Sequence, residues 1–314
     1  EGMTDSHFKD GVQYAWDATS LKMAETCPRY YQYSMIECWT PAMKSTHLIF
    51  GGHYAKALER FYKYLADGME YEVALAETVW QALNDSWENR KVDEAGNEIP
   101  GTGHPWISFD NAKTRENLIR SIIWYLDAYK DSDIIQTWML SNGKPAVELS
   151  FTLQVDNGIL FCGHLDRVVS YGGDPYIMDQ KTTGSTITPR FFEQFSPDSQ
   201  ISLYTFCGRT ILGNPVKGIV IDGAQIAVGF TRFERGFTFR TEAQLEEWYD
   251  GALATIETIQ RYTMKGFFPM NPASCGNYGG CQYRSVCSKS PELRQNFLKA
   301  DFVKREQWNP LLRR

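Results

Sequence analysis

Two apolar segments that end in acidic residues constrain this chain more than any other feature of its sequence. The segments "GILFCGHLDRVVS" (158–170) and "PYIMDQKTT" (175–183) are rich in apolar and β-branched residues, and the turn residues "YGGDP" follow the first. They predict two neighbouring antiparallel strands. Asp166 lies thirteen residues before Asp179, so a hairpin can bring both carboxylates to one end of the sheet.

The two acids and the lysine that follows them predict a site for a divalent metal ion. Adjacent carboxylates repel each other unless a cation lies between them, and oxygen ligands suit Mg²⁺ or Mn²⁺. Lys181 is two residues after Asp179 and therefore points to the same face of the strand. A metal ion and a lysine together can activate water and stabilise the charge of an attacked phosphodiester. Ordinary surface ion pairs are the alternative, because a D-x-K pattern is too short to decide.

The remaining segments predict an α/β fold in which helices flank a mixed central sheet. Helices are predicted over 17–35, with Ser20 as N-cap, and over 48–68, 71–92, 111–130, 199–212 and 242–266, the last capped by Gly266. Further strands are predicted over 146–155, 217–230 and 233–241. We expect one domain over 1–314, divided into a mainly helical part (1–140), a core (141–265) and a cysteine-rich cap and tail (266–314).

Composition narrows the class of protein. The net charge of −6 argues against a surface coated in basic residues for non-specific nucleic-acid binding, but acidic metal ligands would also lower the pI and leave room for a local basic groove. No run of 18 apolar residues occurs, so no membrane span is expected. Seven cysteines without a secretion signal favour a reducing, cytoplasmic location and metal ligation over disulfides.

The segment "GHLDRVV…YIMDQKTT" resembles the core motif of the PD-(D/E)XK nuclease superfamily, in its RecB-like branch. "QISLY" (200–204) is similar to the Q-x-x-x-Y motif that follows on a helix in this branch, and "VE" (147–148) resembles an acidic position on the preceding strand. The resemblance covers 147–204. It implies a PD-(D/E)XK nuclease core in which a bound metal ion is held by the side chains of Asp166 and Asp179, the carbonyl of Gln180 and the side chain of Glu148.

The same resemblance assigns roles to three further residues and raises one question. It implies that Lys181 positions the attacking water, and that Gln200 and Tyr204 face the active site and orient the DNA strand. The branch also carries a metal-binding His four residues before a Glu on an early helix. Here Ala55 occupies that position before Glu59, and His53 lies two residues earlier. Either the helix is unwound at Gly51-Gly52 and His53 reaches the metal, or this ligand is absent.

Four cysteines resemble the ligands of the iron–sulfur nucleases of this superfamily, which include AddB-type recombination nucleases and CRISPR-adaptation nucleases. Cys275, Cys281 and Cys287 are spaced C-x5-C-x5-C, where the family often begins C-x2-C, and Cys27 is far away in the chain. The resemblance implies that the four thiolates hold a [4Fe–4S] cluster. A zinc site or free buried thiols are the alternatives. Cys38, Cys162 and Cys207 lie in apolar contexts and are expected in the core.

Several side chains are candidates for contact with DNA. The basic ones are Lys22, Arg29, Arg167, Arg190 and Arg209. Tyr30, Tyr31 and Tyr33 either stack on single-stranded bases or pack around the cysteines. The basic segment that ends the chain either touches DNA or a partner or is a solvated tail.

These residues predict Mg²⁺- or Mn²⁺-dependent hydrolysis of phosphodiesters. The resemblance, which in length is to phage and prophage RecB-like exonucleases, implies a deoxyribonuclease that acts as an exonuclease on DNA ends. The expected substrate is DNA that is single-stranded or has free ends, with a recombination or replication protein as partner. DNA recombination, repair or phage replication is the expected setting, in the cytoplasm of a bacterial or phage-infected host cell. A CRISPR-adaptation nuclease and a non-catalytic DNA-binding scaffold are the alternatives.

Overall fold

The computed structural model describes residues 7–43, 45–131, 133–213 and 215–312. At its centre lies a seven-stranded mixed sheet. Its strands are β1 (Ala15–Trp16), β2 (Gln136–Thr137), β3 (Val147–Gln154), β4 (Leu160–Tyr171), β5 (Asp174–Thr183), β6 (Ile219–Ile226) and β7 (Thr231–Thr238). The mixed α/β architecture predicted from the sequence is confirmed.

Strands β3, β4 and β5 form the predicted antiparallel meander. β6 then pairs with β5 in parallel, and β7 returns antiparallel to β6. A parallel neighbour needs a crossover connection, and a helix over Ser199–Ile211 supplies it. All eight residues of β6 are buried, as expected for a strand that is covered on both faces of the sheet.

The sheet forks along one edge of β4. At its start, Leu160 and Phe161 pair with β1, and from Arg167 onward β4 pairs with β5 on the same edge. Residues 162–166 of β4 lie between these two ladders and pair with neither strand. The fork leaves the backbone of this stretch unpaired on that edge, and Asp166 is the last residue within it.

Helices cover both sides of this sheet. Those of eight or more residues are α1 (Ala18–Thr26), α2 (Thr46–Ala66), α3 (Tyr71–Asp85), α4 (Arg115–Tyr129), α5 (Ser199–Ile211), α6 (Glu242–Lys265) and α7 (Arg294–Asp301). The apolar faces of α2, α3 and α4 bury one core together with the end of β6, and a larger core surrounds β4, α5 and α6. Gly266 ends α6 in the left-handed conformation (φ 64°), as predicted.

Helices α1 and α3 have boundaries that differ from the predictions, and helix α2 answers the question raised at Gly51-Gly52. Asp17, not Ser20, is the N-cap of α1, and Ser20 completes its capping box from the third helical position. Helix α3 ends at Asp85 because Trp87–Glu88 pairs with His104–Pro105 across the polar loop. Helix α2 is continuous from Thr46 to Ala66, so the helix is not unwound at its two glycines.

The two ends of the described chain meet beside the sheet. Trp39–Pro41 pairs with Phe302–Lys304, and a small core of Tyr33, Trp39, Tyr283, Val286, Leu298 and Phe302 lies beneath this pair. Three of the four cysteines of interest lie in the irregular segment before α7. None of the helices in the described residues is both long and apolar enough for a membrane span.

Candidate active site

Three acidic residues lie side by side on three adjacent strands. The β3–β4 register is continuous on both sides of Glu148 and puts it opposite Asp166. The β4–β5 ladder ends at the pair of Arg167 and Met178, and the next position in that register puts Asp179 opposite Asp166. Asp166 is therefore flanked by one carboxylate on each side, at the point where the sheet forks.

Asp166 is held close to its neighbour Asp179. The backbone amide of Gln180 donates a hydrogen bond to Asp166 Oδ2 at 3.2 Å. Burial raises the pKa of Asp166 well above its usual range, and the charge of Asp179 raises it further, while the Lys181 ammonium acts in the opposite direction. Two carboxylates that share a site resist ionising together, and a cation between them removes that penalty.

Lys181 connects the acids to helix α5. Its Nζ lies 2.6 Å from Asp179 Oδ2 as an ion pair, although this oxygen has no well-directed hydrogen bond. Nζ also donates to Gln200 Oε1 at 3.1 Å, and Gln200 Nε2 lies 3.3 Å from the hydroxyl of Tyr204. Burial acts to lower the pKa of Lys181, but Asp179 and Asp166 outweigh it and raise the pKa, so the ammonium is charged at neutral pH.

Glu148 has an unusual backbone conformation. Its φ is +48°, in the left-handed region that a residue with a side chain rarely adopts within a strand. Such conformations cost of order 1–3 kcal/mol and persist where the surroundings fix them. The ladder resumes on either side of Glu148, so the distortion is confined to this residue.

A cavity of about 470 Å³ opens over the acids, between β4 and helix α2. Glu148 and Asp166 line it from the sheet, and Ala55 and Glu59 line it from α2. Glu59 accepts a hydrogen bond from Lys63 one turn further on. Positions 55 and 59, four residues apart on α2, therefore both face the acids, and the first of them is an alanine.

His53 lies on another side of helix α2. Its ring centroid is 6.2 Å from that of Trp106, and His53 does not line the cavity over the acids. Burial is the largest influence on its pKa, which is lowered. Because α2 is helical at this point, the helix does not turn His53 toward Asp166, and His53 is not among the side chains that this geometry brings to the acids.

The family model described as the PD-(D/E)XK nuclease superfamily matches residues 15–288. The chain belongs to this superfamily. The match spans the acids, the lysine and all four cysteines of interest. No curated protein matches the sequence.

One solved structure supports the fold. A crystal structure described as "Putative exonuclease" from Eubacterium rectale has a TM-score of 0.51 and 14% sequence identity, and the alignment covers 94% of this chain and 98% of that one. A crystal structure named SSO0001 has a TM-score of 0.32 and 12% identity, and its alignment covers 79% and 78% of the two chains. At 14% identity the likeness to the Eubacterium rectale structure concerns the fold alone.

The oxygen atoms of this candidate site have the chemistry of ligands for a hard divalent ion. Asp166 and Asp179 supply two adjacent carboxylates, and the carbonyl of Gln180 lies between Asp179 and Lys181 in the chain. In the described residues, no three His, Cys, Asp or Glu side chains converge as a group that could hold a metal. The donor set that fits is thus a pair of carboxylates supplemented by backbone oxygen, with Glu148 as the nearest third carboxylate along the register.

The four cysteines implied as cluster ligands are neighbours, but as placed they do not form a metal-binding group either. Cys27 lies in an extended break between α1 and a short helix, and its sulfur accepts from the amide of Asn271 at 3.3 Å. Burial raises the pKa of Cys281, and the Cys275 and Cys27 thiols add to this. Burial also raises the pKa of Cys287 to about 11, which Arg29 opposes.

Three of the predicted DNA-contacting cations are engaged within the protein. Arg167 is 3% exposed, and its guanidinium lies 3.5 Å from the ring centroid of Tyr62. Arg209 donates to two backbone carbonyls and to a carboxylate at the start of α6. Arg29 donates to the carbonyl of Phe268. Their positions favour structural roles.

Lys22 and Arg190 are exposed and line a second cavity that also contains Lys181. The tyrosines after Cys27 pack inward. Tyr31 is buried against Trp16, and Tyr30 and Tyr33 contact the ring of Tyr283, so of the two readings of these tyrosines, the geometry favours packing.

Sequence reasoning missed a buried charged cluster behind the site. Asp222 on β6 is fully buried and accepts hydrogen bonds from Tyr125 and from Arg235 Nε, the latter at 3.1 Å. Arg235 also donates to both carboxylate oxygens of Asp133, and its guanidinium stacks on the ring of Tyr129. The only signal in the sequence was a lone Asp in the apolar run "GIVIDGAQIAV".

Proposed function

We propose that this member of the superfamily is a deoxyribonuclease that hydrolyses phosphodiester bonds with Mg²⁺ or Mn²⁺. The observation that carries the proposal is the placement of a charged lysine 2.6 Å from Asp179, beside the paired Asp166 and within reach of Gln200. A cation would be held by Asp166, Asp179 and the Gln180 carbonyl, with Glu148 close by. When bound, such an ion lowers the pKa of water and neutralises charge on phosphate oxygens.

The chain's own residues supply orientation and proton control. Nζ of Lys181 keeps its proton through Asp179, and it can donate a hydrogen bond to the attacking water or to a phosphate oxygen as negative charge develops there. The Gln200 amide fixes the position of that ammonium, and Tyr204 fixes the amide in turn. Burial raises the pKa of Tyr204, so the phenol stays a neutral hydrogen-bonding group.

We propose an exonuclease that acts on single strands or free ends, in recombination, repair or phage replication. The likeness in fold to the protein described as "Putative exonuclease" supports this choice. A third concave surface, a groove of about 700 Å³, runs from Asp166 and Tyr204 past α1 to the segment around Cys281. A groove of this kind, with aromatic and polar lining, suits a single strand.

The test is degradation of end-labelled single- and double-stranded DNA with Mn²⁺ or with EDTA. We expect cleavage only with the metal ion. Lys181→Ala should reduce the rate by about 100-fold or more, the scale found for removal of a donor that stabilises the transition state. Lys217→Ala is the matched control, because Lys217 is exposed and pairs loosely with Asp174 at 3.9 Å. A Lys181→Ala variant that is folded and cuts at the wild-type rate would contradict the role of this lysine.

We also propose that Cys27, Cys275, Cys281 and Cys287 hold a [4Fe–4S] cluster, with Zn²⁺ as the alternative. Cys27 and Cys281 line the same groove, and the amide of Cys281 donates to the carbonyl of Cys275 at 2.9 Å, which supports this assignment. No step of the hydrolysis depends on it. The proposed contribution is to join the N-terminal and C-terminal parts of the fold.

A further inference from the structure

A second cavity opens on the far side of Lys181 from the acids. We call it the hydroxyl cavity; its volume is about 680 Å³, and it is lined by the hydroxyls of Thr183, Ser185, Thr186 and Thr188 and by the cations Lys22 and Arg190. Lys181 and Gln200 also line it, so it is continuous with the proposed active site. Sequence reasoning had noted the two outer cations but not the cluster of hydroxyls.

The charge of the hydroxyl cavity is opposite to that of the cavity over the acids. Its one acidic residue is Asp198, whose carboxylate caps helix α5 by accepting from the amide of Ile201. Within the part of the chain that the structure describes, neither Lys22 nor Arg190 has a carboxylate within ion-pair distance. Lys22 and Arg190 thus give the cavity two cations that no described carboxylate holds in an ion pair, beside its hydroxyl-bearing side chains. Serine, threonine, lysine and arginine are the side chains that bind phosphate oxygens of nucleic acids.

The segment that carries the hydroxyls is fixed rather than loosely attached. The amide of Ile187 donates to Gln225 Oε1 on β6 at 3.1 Å, and the Ile187 side chain is buried. The amide of Ser185 donates to Thr183 Oγ1 at 3.0 Å. Ile187 anchors the segment to β6 and the Ser185–Thr183 bond shapes the turn before it, so the segment presents its hydroxyls with less ordering cost on binding than an unanchored loop would.

We propose that the hydroxyl cavity binds a phosphate group of the substrate strand that neighbours the scissile one. This inference rests on the proposed nuclease function. Lys181 stands at the border between the two cavities, so a strand whose scissile phosphate lies over Asp166 and Asp179 places an adjacent phosphate beside Arg190. That phosphate is either an internal diester or the terminal phosphate of an end, and both present the same oxygens to the cavity.

The experiment compares Arg190→Ala, Lys22→Ala and Thr186→Val with wild type. Arg261→Ala on α6 is the matched control, since Arg261 is exposed and, among the described residues, its side chain donates to Thr258 of its own helix. Initial rates with Mn²⁺ are measured at several salt concentrations on one oligonucleotide sequence prepared with a 5′-phosphate, with a 3′-phosphate and with neither. Melting temperatures establish that each variant is folded.

We expect Arg190→Ala and Lys22→Ala to raise KM several-fold with little change in kcat, because a neighbouring phosphate is bound equally in the ground and transition states. The slope of log(kcat/KM) against log[salt] should become shallower by about 0.7 for each lost contact to a single strand. Thr186→Val should raise KM without changing this slope. An effect confined to one phosphorylated end identifies a terminal phosphate, and an equal effect on all ends identifies an internal diester.

Unchanged KM and unchanged salt slope in both cation variants, on every end, would overturn the inference. That result is distinct from failure of the proposed function, which appears as absence of metal-dependent cleavage by the wild-type protein.

Discussion

At the scale of single residues, Asp166 links metal binding to pH. Its pKa in the folded protein is raised by burial and by Asp179, above the value of about 3.9 for an unfolded chain. The metal-free protein therefore loses stability as the pH rises from the pKa of Asp166 in the unfolded chain to its higher pKa in the folded protein. Over this interval the unfolded chain ionises Asp166 more readily than the folded protein does. A cation binds the ionised form, so its stabilising effect grows over the same interval. We expect Mn²⁺ to raise the Tm by more at pH 8 than at pH 5, measured by scanning calorimetry.

Asp166→Asn separates this effect from general ion binding, because it keeps the shape of the side chain and removes its charge. The variant should lose most of the metal-induced rise in Tm at pH 8. Asp174→Asn, an exposed position at the other end of β5, should retain it. An equal rise in Tm at both pH values in the wild-type protein would show that Asp166 does not ionise on binding.

At the scale of elements, the positive φ of Glu148 distorts strand β3, and a pair of substitutions tests whether this distortion serves the site. Glycine can adopt the positive φ of Glu148 without a steric penalty, whereas alanine incurs a steric penalty there because of its Cβ atom. Glu148→Gly should therefore be more stable than Glu148→Ala by about 1 kcal/mol, measured by urea denaturation. Both variants should lose cleavage activity to a similar degree if the carboxylate assists the metal.

Two results would contradict that account of β3. Equal stability of the two variants would mean that the backbone relaxes when the carboxylate is removed. Full activity of either variant would mean that the distortion does not serve the site.

The elements also show what a sequence can predict here. The β4–β5 hairpin was predictable because its apolar segments and its turn are contiguous, and the meeting of Asp166 with Asp179 follows from it. The end of α3 was not, because a pairing of Trp87–Glu88 with His104–Pro105 fixes it across a long loop. The cluster around Asp222 was hidden for the same reason, since Asp133 and Tyr125 come from distant parts of the chain.

At the scale of the whole molecule, contacts other than the cysteines already join the two ends of the fold. Asn271 Nδ2 donates to the carbonyl of Thr26 at 2.9 Å, and the Tyr283 hydroxyl donates to the carbonyl of Trp39 at 2.5 Å. A cluster that closes a loop of nearly the whole chain could add on the order of 5 kcal/mol by the entropy model for cross-links. Loss of the cluster should therefore lower the free energy of unfolding without separating the N-terminal and C-terminal parts, because these contacts remain.

Cys281→Ser tests this role, with Cys38→Ser as the control, because Cys38 is outside the group of four. We expect the wild type and Cys38→Ser to contain about four iron atoms per chain, and Cys281→Ser to lose the iron together with soluble yield and several degrees of Tm. One zinc per chain in the wild type would identify the alternative metal. A Cys281→Ser variant that lost all its iron and melted at the wild-type temperature would show that the polypeptide contacts alone hold the two ends together.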